Sequence, residues 1–117
     1  MELSCHDLED GIRRIGLTGR LDIEGANEIA LRFLSLVSAA RHLVVVDLSG
    51  VGFLSSIGLS TLVQAARSAK LRGGGLVLMA PRQNVEKVLT STHIAEFIPV
   101  CADFESARAV LQSIPRA

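Results

Sequence analysis

Ser55 and Ser56 are neighbouring hydroxyls at a point where one hydrophobic pattern gives way to another. Before them runs Leu43-Val44-Val45-Val46; after them Leu59, Leu62, Val63, Ala66 and Ala69 recur at helical spacing. A hydroxyl at the start of a helix faces backbone N–H groups with no intrahelical partner and the positive end of the dipole. That setting suits a helix cap, a carrier of phosphate, or a nucleophile presented on a strand-to-helix turn. The last of these fails on the residues. An α/β-hydrolase elbow centred on Ser56 needs Gly where Leu54 stands, and Asp103 has no His after it, so the Ser, Asp, His order cannot be built. His6, His42 and His93 are scattered and read as solvated or satisfied side chains. No catalytic residue is expected, and the protein reads as a non-enzyme.

The elements that position the two serines follow from periodicity. The short β-branched run Leu43–Val46 is a strand buried on both faces, and Asp47, Ser49, Gly50 and Gly52 break both periodicities and predict a turn before the helix. Upstream, Glu2 to Leu8 and Gly11 to Thr18 flank Glu9-Asp10-Gly11, a hairpin signal. Gly19-Arg20-Leu21-Asp22 closes the second strand, and Asp22 is placed to cap a helix with Ala26, Ile29, Ala30, Phe33, Leu34 and Val37 on one stripe. Downstream, Gly73-Gly74-Gly75 ends the central helix; no Lys-Ser or Lys-Thr follows, so the triplet is no phosphate loop. Leu76 to Ala80 is a strand stopped by Pro81, Val85, Val88 and Leu89 mark a short helix, and Phe97-Ile98-Pro99-Val100 is a brief strand. Asp103 caps a last helix carrying Phe104, Ala107, Val110 and Leu111, which Pro115 ends. The sum is an α/β domain over residues 1–117, ββαβαβαβα, with a mixed sheet of four to five strands, about four flanking helices and right-handed crossovers between parallel strands.

Composition narrows the function classes. At 117 residues and 49% hydrophobic content the chain can bury one core and is not disordered. Twelve Lys and Arg balance twelve Asp and Glu, leaving no field to hold a polyanion, and aromatic residues are 3%, with the four Phe placed mainly in the core; no nucleic-acid partner is expected. Cys5 and Cys101 lie far apart, with no C-x-x-C and no His at ligand spacing, so two buried reduced thiols are expected and neither metal nor cofactor. The acidic start MELSCHDLED has no basic region or apolar stretch, and no segment approaches the roughly 18 apolar residues of a membrane span, so a cytoplasmic protein without membrane insertion is expected.

Phe53-Leu54-Ser55-Ser56-Ile57-Gly58-Leu59-Ser60, preceded by Val46-Asp47-Leu48-Ser49, resembles the signature segment of STAS domains and, within them, of bacterial anti-sigma factor antagonists. In that family the segment reads Phe, an aliphatic, Asp, Ser, Ser or Thr, Gly, Leu, Gly, and a partner kinase phosphorylates the serine after the Asp. Ser56 holds that place here, while Ser55 stands where the family has Asp, Ile57 where it has a second hydroxyl and Ser60 where it has Gly. Ser55 is then the helix cap or a second candidate for modification. The family also shows a Leu-Thr-Gly-x-Leu-Asp segment whose Asp lies close to the phosphorylated serine; Leu17-Thr18-Gly19-Arg20-Leu21-Asp22 matches it, so the resemblance implies Asp22 in the site.

What the resemblance implies is partner switching. The dephosphorylated protein would bind an anti-sigma factor that is also a serine kinase and release its sigma factor; the kinase would then modify Ser56, and a PP2C-type phosphatase would reset the cycle. Ser60, Gln64 and Arg67 fall on the helix face away from the apolar stripe, and with Asp22, Ser55, Ile57 and Gly58 they are the expected partner-facing residues. Two alternatives stand beside this reading. One is an unphosphorylated STAS scaffold in a lipid-transport or signalling assembly; the other is a nucleotide- or lipid-binding domain with its pocket near Asp22 and Ser56. The sequence sets no oligomeric state.

Overall fold

The alternation of apolar strands with amphipathic helices builds a single mixed sheet. The computed structural model describes residues 1–8, 10–39 and 43–114. Its elements are β1 (Glu2–Asp7), β2 (Ile12–Leu21), α1 (Ile23–Ser38), β3 (Leu43–Leu54), α2 (Ser56–Leu71), β4 (Gly75–Met79), α3 (Gln83–Ser91), β5 (Val100–Cys101) and α4 (Phe104–Gln112), with a 3-10 turn at Ile94–Glu96. The expected order ββαβαβαβα is the observed one. The five strands lie in the order β1-β2-β3-β4-β5. β1 and β2 form the antiparallel hairpin, with Gly11 at positive φ in its turn, and the remaining pairs are parallel. Glu9 of the hairpin signal, His42 and Pro115 lie outside the described residues.

Helices cover the sheet unequally. Ile29, Phe33 and Val37 of α1, Leu62, Ala65 and Ala69 of α2, and Val85 and Leu89 of α3 pack with Ile15, Leu17, Val44 and Val46 on one face. On the other face Ala107 and Leu111 of α4 meet Ile12, Val45, Val77 and Met79. Each such Leu, Ile or Val side chain removed from water contributes about 1.5–3 kcal/mol. At the end of α2, Gly73 takes φ +83° and its N–H bonds to the Lys70 carbonyl, while the Gly74 N–H reaches Ala69, the arrangement a helix-terminating glycine allows.

Four expectations need correction. Asp47–Gly52 is not a turn: β3 runs unbroken to Leu54, paired with β2 through two register shifts. Glycine there serves close approach, since a Cβ on Gly50 would stand 2.8 Å from the Leu17 carbonyl oxygen. Phe97–Val100 is a strand only at its last residue, Val100, where β5 begins. Phe97 and Ile98 give their N–H groups to Ile94 in the 3-10 turn, Pro99 has no N–H to give, and pairing begins only at Val100. Of the phenylalanines only Phe33 is buried; Phe53, Phe97 and, in part, Phe104 face solvent, because each stands at an element's edge: near the end of β3, just past the 3-10 turn and at the first residue of α4. Cys5 and Cys101 are free thiols but half-buried, both on outer strands of the sheet.

Candidate functional site

Parallel pairing of β2 with β3 brings their carboxyl ends together, Arg20 opposite Phe53 and Leu21 opposite Leu54. The two helices that follow therefore start side by side. At the start of α1 the Asp22 carboxylate accepts the Gly25 N–H at 2.9 Å. At the start of α2 the Ser55 hydroxyl accepts the Gly58 N–H at 3.1 Å and donates to the Leu21 carbonyl at 3.0 Å, while the Ser55 N–H also reaches Leu21 at 3.0 Å. Both caps do what their residue types allow. The Ser55 hydroxyl is thus engaged at both ends. Ser56, the first residue of α2, is exposed and its hydroxyl makes no hydrogen bond with the described residues.

The strand ends and helix starts near Ser56 expose three large apolar side chains and hold the Arg20–Asp22 ion pair. Ile23, Phe53 and Ile57 are 59%, 37% and 48% exposed, an unusual grouping for large hydrophobic side chains. The Arg20 guanidinium lies over the Phe53 ring at 4.3 Å and its Nε is 3.4 Å from Asp22. The Gly25 N–H, and then Arg20, hold the Asp22 carboxyl below its ordinary value. No acidic residue lies in the first turn of α2, whereas Glu24 lies in that of α1.

Of the expected partner-facing residues, Asp22, Ser55 and Ile57 are brought together with Ser56, the expected phosphorylation site, at the β2 and β3 ends, and Ser60, Gln64 and Arg67 continue along the exposed face of α2. Gly58 is different. It is buried, and a Cβ there would overlap the Leu21 carbonyl oxygen, so it holds α2 against β2 and presents nothing outward. A cavity along α2 lies against Val63, Ala66, Arg67 and Lys70, further down the helix than Ser56.

Two residues that sequence reasoning passed over support the site. Arg82 Nε donates to the Ser49 carbonyl at 2.9 Å and Asn84 Nδ2 to the Gly52 carbonyl at 2.7 Å, bracing the outer half of β3 from the start of α3. The signal was available: both follow Pro81 just past the carboxyl end of β4, which parallel pairing sets beside Asp47, where the outer half of β3 begins. Arg20 was quoted only as the variable position of a motif.

Comparison with known proteins places this geometry. A family model described as "STAS domain" matches residues 8–107. BtrV of Bordetella bronchiseptica, whose name describes it as an anti-sigma factor antagonist, is 26% identical over 111 residues, 94% of this chain and 96% of its own. Among solved structures, an anti-sigma-factor antagonist (STAS) domain protein of Planctomyces limnophilus superposes with a TM-score of 0.83 at 24% identity, over 95% of this chain and 98% of the other. The anti-sigma factor antagonist SpoIIAA in its unphosphorylated form gives 0.77 at 17% identity over 98% and 100%, and Bacillus SpoIIAA in the phosphorylated form 0.68 at 16% over 93% and 99%. The fold, the element order and the family match agree, and the chain belongs to the STAS domain family.

Proposed function

We propose that this protein is an anti-sigma factor antagonist whose docking surface is the apolar patch around Ser56, and that phosphorylation of Ser56 by the anti-sigma factor, itself a serine kinase, switches docking off. The observation that carries the reading is the division of labour between the two serines. Ser55 is tied up as cap and donor, whereas Ser56 is exposed and without a hydrogen-bond partner among the described residues. The names of BtrV and the STAS structures support the same partner class.

Apolar association explains the direction of the switch. Burying Ile23, Phe53 and Ile57 against a partner removes hydrocarbon from water. A phosphate on Ser56 adds about −1.5 to −2 charges and three acceptor oxygens. The α2 N-terminus tolerates that charge in the free protein. A partner surface packed over the apolar patch would have to desolvate it. Phosphorylation therefore weakens the complex without refolding either protein. A PP2C-type phosphatase would restore the free hydroxyl, and Asp22, Ser60, Gln64 and Arg67 would form the polar rim.

The test uses the cognate anti-sigma factor and ATP, with intact-protein mass as one readout and complex formation as the other. Wild type and Ser55→Ala should each gain one phosphoryl group and Ser56→Ala none. Ser56→Asp should lower affinity for the anti-sigma factor at least about tenfold, or 1.4 kcal/mol. No mass gain together with unaltered binding of Ser56→Asp would replace this reading with an unphosphorylated STAS scaffold.

A further inference from the structure

Beyond the serine site, α2 forms one wall of a groove. Its opposite wall is the 3-10 turn Ile94–Glu96 with Phe97 and Ile98, and the space between is about 450 Å³. Val63, Ala66, Ile94 and Ile98 give it an apolar floor. Phe97 stands at the rim with 78% of its surface exposed. Past Phe97 a second hollow of about 320 Å³ continues against Leu76, Pro99, Val110 and Ile114, sharing Ala66, Lys70 and Phe97 with the first. Both volumes fall in the range of about 300–1,000 Å³ typical of small-molecule sites.

Charge selects the occupant. Arg67 and Lys70 lie one helical turn apart on the groove edge, both exposed, and neither enters an ion pair with the described residues. Across the groove Glu96 has His93 Nδ1 3.9 Å from its carboxylate. Two unpaired cations above an apolar trough complement a ligand with one anionic end and a long hydrocarbon body. We propose that this groove binds a single-chain anionic amphiphile, its head group at Arg67 and Lys70 and its chain along Ile94, Ile98 and Phe97. An acyl chain laid over Phe97 would cover the most exposed aromatic ring of the protein. The shared chemistry is an anionic head on an alkyl chain, which a fatty acid or a phosphate monoester of a fatty alcohol supplies.

The probes are dodecanoate, dodecyl phosphate and dodecyltrimethylammonium, each kept below its micelle concentration and titrated into the full chain by calorimetry and amide nitrogen–proton spectra. Dodecanoate or dodecyl phosphate, whichever head group fits, should saturate one site per chain and shift amides of Arg67–Lys70 and Ile94–Ile98. The Arg67→Gln, Lys70→Gln double variant and Phe97→Ser change exposed side chains only, so they should fold, and each should weaken binding at least about tenfold. Equal binding of the cationic amphiphile overturns the proposal, as does absence of saturable binding, unchanged affinity in the double variant, or shifts confined to the Ser56 end. So does self-association abolished by Phe97→Ser without amphiphile binding, which would assign the groove to a second copy. Ser56→Asp should leave amphiphile affinity unchanged, so the result stands apart from the switching reading.

Discussion

Helices α1 and α2 begin at the ends of neighbouring parallel strands, and each start is built from a capping side chain and a glycine three residues on, Asp22 with Gly25 and Ser55 with Gly58. They differ in charge. The α1 start holds Asp22 and Glu24 against its dipole, with Arg20 alongside, whereas the α2 start has a neutral cap and no acid in its first turn. One helix end is electrostatically compensated and the other is left open beside an exposed serine. Had Asp occupied position 55, a carboxylate would already meet the α2 dipole; with serine there, an added phosphate at Ser56 supplies the first negative charge.

The largest effect should come from what the two starts share. A Cβ on Gly58 would overlap the Leu21 carbonyl oxygen, and one on Gly25 the Arg20 carbonyl oxygen, backbone atoms that cannot move without shifting β2. Gly58→Ala and Gly25→Ala should each lose about 3 kcal/mol by urea denaturation. Gly52→Ala, whose Cβ would find only Arg82 Nη1 at 3.7 Å, should change stability by less than about 0.5 kcal/mol. A Gly58→Ala protein as stable as wild type would show that α2 does not need its close approach to β2.

A smaller effect separates the caps. Ser55→Ala removes the acceptor for the Gly58 N–H and the donor to Leu21, and should cost about 1 kcal/mol. Hydrogen exchange resolves where the loss falls: the Gly58 amide should exchange faster in Ser55→Ala while the Gly25 amide, bonded to Asp22, keeps its protection. Equal acceleration at both amides would mean that the two helix starts open as one unit and do not behave as separate devices.

How legible these features were depended on whether a local pattern decided them. The caps at Asp22, Ser55 and Asp103 were readable because a short polar side chain before an apolar stripe has few other uses, and all three accept an N–H three residues later. The exposure of Ser60, Gln64 and Arg67 followed from helical periodicity in the same way. The outer half of β3 was not readable. Asp47, Ser49, Gly50 and Gly52 have turn chemistry, and pairing with β2, with β4 at Asp47, and the brace from Arg82 and Asn84 keep that segment extended. Gly58 was misassigned for a related reason: a glycine carries no sign in the sequence of what its bare backbone will be pressed against. The exposed Ile23, Phe53 and Ile57 come from three elements, so their spacing along the chain says nothing until pairing of β2 with β3 brings the ends of those strands, and the helix starts that follow them, side by side.

The smallest effect is the acid response of α1, and it isolates the charge difference itself. The Gly25 N–H, then Arg20, stabilise the ionised form of Asp22 and place its folded value below the ordinary 3.8. For a carboxyl with a depressed folded value, the stabilisation is complete above the unfolded value and disappears as pH falls through the folded one. Wild type should therefore exceed Asp22→Asn in urea midpoint at pH 7, and the gap should close as pH falls through the range below the ordinary 3.8. Asparagine keeps a capping oxygen, so the difference reports the charge and not the cap. Asp47 and Asp103 are also depressed, and comparing the two proteins at each pH cancels their contribution. Wild type against Ser55→Ala should show a gap that does not vary over the same range, because the α2 cap has nothing to protonate. A gap at Asp22 that fails to close once the carboxyl is protonated would show that it does not come from the Asp22 charge, and the electrostatic contrast between the two helix starts would then rest on Glu24.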